Sequence, residues 1–228
     1  MARWGMVIDL DRCTACQACA VACKVENNVP PSGAQEAQER RTISWLRVTE
    51  MVLGEHGHSA KPQLIPLPCM HCENPPCVKV CPATATTIDE GGLVSQIYPR
   101  CIGCRYCTTA CPYTVRQFNW RDVEWPLPMD EALNPDVSVR PRGVVEKCSF
   151  CHHRLQRVKD EARLENRPLE EGEYVPACVE SCPADAMTFG DLDDPRSAVS
   201  RLAESPRSFR LMEELGTKPK VIYLSKGE

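Results

Sequence analysis

Apolar residues occur along this chain in short runs, and polar, proline-rich or cysteine-rich stretches separate them. Residues 5–10 read as a strand and residues 17–25 as a short helix. Pro30, Pro31, Ser32 and Gly33 mark a loop. Residues 42–52, with β-branched and aromatic side chains, predict a strand, and the polar residues 55–60 a turn. Thr86-Thr87-Ile88, then Asp89-Glu90-Gly91-Gly92, then Leu93-Val94 spell a hairpin. Residues 154–166 predict an amphipathic helix with Leu155, Val158 and Ala162 on one side. Asp194-Pro195 reads as an N-cap followed by Pro at the first helical position, and Ser205-Pro206 repeats the signal. Leu211, Met212 and Leu215 then lead to Gly216 as a helix stop, and residues 221–224 close as a strand. Residues 120–143 carry Pro126, Pro128, Pro135 and Pro141 and read as irregular.

Composition makes the expected core thin. Of the 228 residues, about 21% are Leu, Ile, Val or Phe, close to the level below which chains tend to be disordered. Twenty prolines beside four Trp, five Tyr and four Phe point the same way. The net charge of −4 lacks the basic footprint of a nucleic-acid binder, so no nucleic-acid partner is expected. No run approaches roughly 18 apolar residues, so no membrane-spanning helix is expected. The first ten residues lack the apolar region and cleavage site of a leader. Arg40-Arg41 lies too far in, before the wrong kind of segment, to be a twin-arginine signal.

Sixteen cysteines change that picture, because they fall into four groups of four with none left over. Group I is Cys13-x2-Cys16-x2-Cys19-x3-Cys23, and group II is Cys69-x2-Cys72-x4-Cys77-x3-Cys81. Group III is Cys101-x2-Cys104-x2-Cys107-x3-Cys111; group IV is Cys148-x2-Cys151 followed, after 26 residues, by Cys178-x3-Cys182. Disulfides need an oxidising compartment, and cysteines two or three apart rarely meet bridge geometry. Zinc prefers paired CxxC units that each close one tetrahedral site. The run C-x2-C-x2-C-x3-C-P is instead that of bacterial ferredoxins, in which the fourth Cys ligates the other cluster of a pair. Pro112, Pro82 and Pro183 follow the fourth Cys of groups III, II and IV, whereas Lys24 follows Cys23. The Pro is a conformational aid and not a ligand, so Lys24 leaves ligation untouched. Three thiolates on a tight loop wrap three corners of a cubane. The fourth, expected at the start of a short helix with Pro at N1, reaches a second cubane. Four [4Fe–4S] clusters are expected.

The hairpin between Cys81 and Cys101 pairs group II with group III, as in a two-cluster ferredoxin, and leaves groups I and IV for each other. The ligand sets become Cys13, Cys16, Cys19 and Cys182; Cys69, Cys72, Cys77 and Cys111; Cys101, Cys104, Cys107 and Cys81; and Cys148, Cys151, Cys178 and Cys23. Sequential pairing, I with II and III with IV, is the alternative. The expected fold is α+β, two bacterial-ferredoxin-like dicluster units, one nested in the other, with irregular insertions. Residues 1–68 and 143–228 form the outer unit, 69–120 the inner one, and 121–142 a connecting or docking arm.

His71, His152 and His153 lie near the cysteines, but every ligand position already has a thiol, so they read as neighbours of the clusters or surface residues. Lys24, Lys79, Arg100, Arg105, Arg116, Lys147 and Arg154 flank the motifs. One or two of them are expected to raise cluster potentials by local positive charge, the rest to be solvated. No GxGxxG, P-loop, GxSxG or Ser/His/Asp set is present, so no catalytic residue is assigned. Four clusters without a catalytic set read as a wire.

With these residues in view the chain resembles the four-cluster electron-transfer subunits of the complex iron–sulfur molybdoenzyme family, among them those of polysulfide, dimethyl sulfoxide and tetrathionate reductases. The likeness spans almost the whole chain, best at Val7-Ile8-Asp9-Leu10 through Cys23-Lys24, His71-Cys72-Glu73-Asn74-Pro75-Pro76-Cys77, Cys111-Pro112-Tyr113 and Phe189-Gly190-Asp191-Leu192. Arg116-Gln117-Phe118-Asn119-Trp120, and residues 134–140 and 145–148, are similar to the iron–sulfur subunits of the menaquinone reductase complex of sulfate reducers and of alternative complex III. The resemblance implies the nested pairing, a large molybdopterin-type partner, catalytic or structural, and an integral membrane partner that handles quinone. In the menaquinone reductase branch it adds a multihaem cytochrome. In one branch the first Cys of group III is replaced and a [3Fe–4S] cluster results; here that position is Cys101, so four cubanes are implied. Attachment to the membrane through a partner is implied, with the periplasmic face, reached by folded export with a signal-bearing partner, ahead of the cytoplasmic one. Two other readings are a free-standing polyferredoxin shuttle and a zinc-stapled interaction module.

Overall fold

The computed structural model describes residues 2–53 and 61–225, so the turn expected over 55–60 lies outside the described residues. Among the described residues, short helices and strands are arranged around one four-stranded sheet and three two-stranded ribbons. The large sheet joins strands from both ends of the sequence. In it β1 (Trp4–Asp9) lies between the strands Met187–Asp191 and Val221–Leu224, with Ser208–Phe209 outermost. β1 runs parallel to Val221–Leu224, with Met6 opposite Val221, and antiparallel to Met187–Asp191, with Met6 opposite Phe189. Strand pleating explains how both faces are buried. Met6, Ile8, Val221 and Tyr223 enter the main core, whereas Val7, Ile222 and Leu224 face Leu192 and Val199 on the other side. Gly5 is required by close approach: a Cβ there would sit 2.3 Å from Leu192 Cδ1 and 2.9 Å from the Lys220 carbonyl oxygen.

The helix Ala198–Ala203 covers that second face, and its cap corrects the sequence reading. The cap is Ser197, whose Oγ accepts from the Ser200 amide at 3.1 Å, three residues beyond the expected Asp194. Asp194 instead accepts from the Arg196 amide in an Asx turn that delays the helix. No helix follows Ser205-Pro206 either. That segment becomes the edge strand Ser208–Phe209, since pairing with Tyr223 and Leu224 outweighs the local capping signal. Only a single 3-10 turn, Glu213–Leu215, precedes Gly216, which stops it at φ +64°.

The strand expected over 42–52 forms as β2 (Arg47–Leu53). Ile43, Trp45 and Leu46 are buried ahead of it in irregular chain, because the Trp45 indole N–H reaches Glu146 at 2.9 Å. Its partner β3 (Lys61–Leu67) escapes sequence reading through Pro62 and Pro66, which a two-stranded ribbon tolerates on its open edge. The predicted hairpin is present as β4 (Thr86–Ile88) and β5 (Val94–Gln96). A further short pair, β6 (Gln117–Phe118) with β7 (Val145–Glu146), draws together the ends of the irregular segment. The amphipathic helix spans His152–Leu164, with Leu155 and Ala162 buried and Val158 packed against the core.

The second half of the irregular segment is tied to the helix α1 (Ala18–Glu26). Asn28 donates to the carbonyls of Asn134 and Val137, and Asn134 donates back to the Glu26 carbonyl. Arg140, 3% exposed, donates to the carbonyls of Asn27 and Asn28 at the helix C-terminus, where a cation is favoured, and pairs with buried Glu146 at 2.9 Å. Arg140→Ala is expected to lower the unfolding free energy by about 3–5 kcal/mol, because Glu146 loses its charged partner. The midpoint of denaturation of the cluster-loaded protein measures it.

Candidate iron–sulfur centres

Each cysteine group is built on one local plan. The third cysteine is the second residue of a short helix: Cys19 in α1, Cys77 in the helix Pro76–Lys79, Cys107 in Tyr106–Ala110 and Cys178 in Ala177–Glu180. All four are buried. In groups I and III a left-handed residue, Gln17 at φ 65° or Arg105 at φ 63°, turns the loop into the helix. Gly103, at φ +70°, lets the group III loop pass the Gly143 carbonyl, which a Cβ would meet at 2.4 Å.

The fourth cysteine departs from expectation. Cys81, Cys111 and Cys182 lie just after a short helix, not at the start of one. The following Pro explains this, because it drives the residue before it out of the helical region. Group I has Lys24 in that place, and there α1 runs on through Cys23 to Glu26. The Sγ of Cys81 and of Cys182 each accept from the amide four residues on, Ala85 at 3.2 Å and Ala186 at 3.3 Å.

Sulfurs from distant groups meet in space. Cys13, Cys16, Cys19 and Cys182 line a recess of about 300 Å³, here site I. Cys69, Cys72, Cys77 and Cys111 line one of about 320 Å³, site II. Cys81, Cys101, Cys104 and Cys107 line one of about 290 Å³, site III. Cys23, Cys148, Cys151 and Cys178 are all buried together as site IV, where Cys148, Cys178 and Cys151 are the charges that act most on Cys23. The Asn27 amide lies 3.8 Å from Cys23 Sγ and 3.7 Å from Cys151 Sγ. Among the described residues no three Cys, His, Asp or Glu side chains converge on a point fit for a single ion. Four thiols brought together at each of four places fit a multi-iron cubane with one thiolate per corner. Burial pushes the thiols of Cys72 and Cys148 up to about 12 and that of Cys19 to about 11. Such thiols keep their protons at neutral pH until iron displaces them.

Comparison with known proteins points to the same class of cofactor. Residues 60–126 match a 4Fe-4S dicluster domain and residues 4–25 a 4Fe-4S binding domain. The chain is 53% identical to the iron-sulfur cluster-binding subunit of menaquinone reductase from Nitratidesulfovibrio vulgaris, over 99% of this chain and 90% of that one. It is 35% identical to one chain of the polysulfide reductase of Wolinella succinogenes, over 97% and 94%. It is also 35% identical to one subunit of the tetrathionate reductase of Salmonella typhimurium, over 97% and 72%. The protein belongs to the iron–sulfur subunits of the complex iron–sulfur molybdoenzyme family. Like other members of that family it is an electron-transfer subunit of a membrane-associated oxidoreductase complex, carries four [4Fe–4S] clusters and is not catalytic alone. No described helix is long and apolar enough to cross a membrane.

In this iron–sulfur subunit His71, His152 and His153 stand beside the cysteine sites. Buried His71 accepts from the Val94 amide through Nδ1, which leaves the proton on Nε2 to donate to the Cys148 carbonyl at 3.1 Å. Burial, with Lys147 and Lys220 nearby, holds its pKa well below the usual value, so it stays neutral. His153 pairs with Glu26, and His152 faces Asp89 at 3.7 Å. Of the seven flanking cations only Arg116 and Lys147 are buried. Lys79 and Arg100 are exposed. Lys24 donates to the carbonyls of Pro30 and Ile43, Arg105 lies over Phe118 and Trp120, and Arg154 binds Glu26 and Glu180. Sequence reading missed Asn27 and Lys220. Asn27 was within reach, since it stands four residues after Cys23, one helical turn along the same face.

Proposed function

We propose that this chain conducts electrons through its four sites in the order I, IV, II, III, between a quinone-reactive membrane subunit and a molybdopterin-type or cytochrome-fed partner. The order is supported by neighbouring charges: Cys19 acts on Cys23, Cys69 on Cys148, and Arg116 feels both Cys77 and Cys107. The observation that carries the reading is exposure. Cys16 at one end and Cys104 at the other are exposed, whereas all the cysteines of site IV are buried. A wire needs open ends and an insulated middle. The ligand sets are those of the four sites, and the two dicluster units are nested, residues 69–120 within 1–68 and 143–228, with 121–142 as the arm. The sheet that unites both chain ends supports this arrangement.

When bound, each cluster takes up and returns one electron. The chain itself places the thiols, excludes water from the inner sites and aims backbone amides and helix N-termini at the negative charge. Likeness to the menaquinone reductase subunit supports a quinone-linked complex. The periplasmic face is preferred, because folded export with a partner lets clusters assemble where thiols stay reduced. Affinity purification from detergent-solubilised membranes tests the assembly. The tagged chain is expected to bring down a molybdopterin-type subunit and a multi-span membrane subunit. Recovery alone, brown and bleached by dithionite, would instead favour a free shuttle.

A further inference from the structure

Buried cations are expensive unless an anion faces them. Arg140 has Glu146, but among the described residues Arg116, Lys147 and Lys220 are buried with no carboxylate in ion-pair contact. The two lysines spend their ammonium groups on carbonyls, Lys147 on Cys148 at 2.8 Å and Lys220 on Gly92. Arg116 differs. It is 4% exposed, and its Nη2 donates to Thr86 Oγ1 at 2.8 Å and to Gln96 Oε1 at 2.5 Å. Its Nε and Nη1 are buried with no oxygen or nitrogen to bind, and the Cys107 thiol is the group within hydrogen-bonding reach of the guanidinium.

The position of this guanidinium shows what those free donors face. Arg116 lines the site II recess beside Cys69, Cys72, Cys77 and Cys111. Thr86 and Gln96, which grip its other edge, line the site III recess beside Cys81, Cys101, Cys104 and Cys107. The cation therefore stands in the wall between two thiolate sets, and Cys77, Cys107 and Cys69 are the opposite charges nearest in effect. Among the described residues no cationic side chain lines the site I recess.

We propose that Arg116 raises the reduction potentials of sites II and III together. This rests on the four-cluster reading above. A four-thiolate cubane carries about −2 when oxidised and about −3 after gaining one electron, a charge that must enter the local electrostatics. A fixed cation in a dry wall stabilises the reduced form more than the oxidised form. One electron leaves the donor site, which is oxidised, and one arrives at the acceptor, which is reduced. No proton moves, because a guanidinium keeps its proton in proteins.

The test is a potentiometric titration of the intact complex followed by electron paramagnetic resonance, with iron counted in the same samples. Arg116→Gln is expected to lower two of the four midpoint potentials, each by at least a tenfold change in the reduction equilibrium, about 59 mV for one electron. The other two stay in place, and Arg116→Lys restores most of the shift. Gln96→Glu, nearly isosteric, sets a carboxylate against the guanidinium and is expected to lower the same two potentials. It decides the question if Arg116→Gln fails to retain its clusters. Unmoved potentials in Gln96→Glu with four clusters present, or an equal shift of all four, would overturn the role of Arg116. Wild-type protein with far less than about 16 iron atoms per chain would overturn the four-cluster reading itself.

Discussion

Stripped of iron, this chain is expected to show no cooperative thermal transition. Cys19, Cys23, Cys69, Cys72, Cys148 and Cys178 lie inside the main hydrophobic core, so the cluster sites are part of the core and not an addition to it. What surrounds them is one four-stranded sheet and three two-stranded ribbons, and isolated ribbons are marginal in water. Structural metal sites in small domains supply on the order of 10–16 kcal/mol each, against a net stability of about 5–15 kcal/mol for an ordinary domain. Losing four such sites removes more than the remaining contacts supply. Near-ultraviolet circular dichroism and calorimetry under anaerobic conditions, before and after chelation, read the effect. A sharp calorimetric peak in iron-free protein would contradict it.

The second large effect concerns which cysteines share a cluster. Cys182→Ser and Cys13→Ser are expected to abolish the same paramagnetic signal, although 169 positions separate the two residues. Cys81→Ser is likewise expected to act on the signal that Cys104→Ser abolishes. Each variant should fall from about 16 to about 12 iron atoms per chain, and electron transfer through the complex should drop to background, because in the proposed order a gap in the file of carriers stops the current. Under sequential pairing Cys81→Ser would strike the group I signal instead, so the assignment of signals separates the two arrangements.

Much of this was legible in the sequence because it is local. The four cysteine groups, the strand through Val7 and Ile8, the hairpin after Thr86 and the strand ending at Leu224 each declare themselves within a few residues. What stayed hidden depends on partners far along the chain. Ser205-Pro206 carries a helix-start signal, yet Phe209 is claimed by Tyr223, whose ring lies 5.8 Å away. The prolines of β3 conceal a strand that only pairing with β2 makes favourable. Arg116 is one of seven similar cations until Thr86 and Gln96, 30 and 20 residues away, close over it. The offset of the fourth cysteine was readable in principle, since the rule that Pro ends a helix before it applies at Cys81, Cys111 and Cys182 and lapses at Cys23.

The parallel pairing of β1 with Val221–Leu224 also sets a schedule for biosynthesis. β1 is made first, but its neighbour emerges after more than two hundred further residues, about 10–40 s later at ordinary rates of synthesis. Cys182 itself is made 169 residues after Cys13, whereas every cysteine of sites II and III has been made by residue 111. The middle of the chain can therefore be loaded with iron before the four-stranded sheet closes.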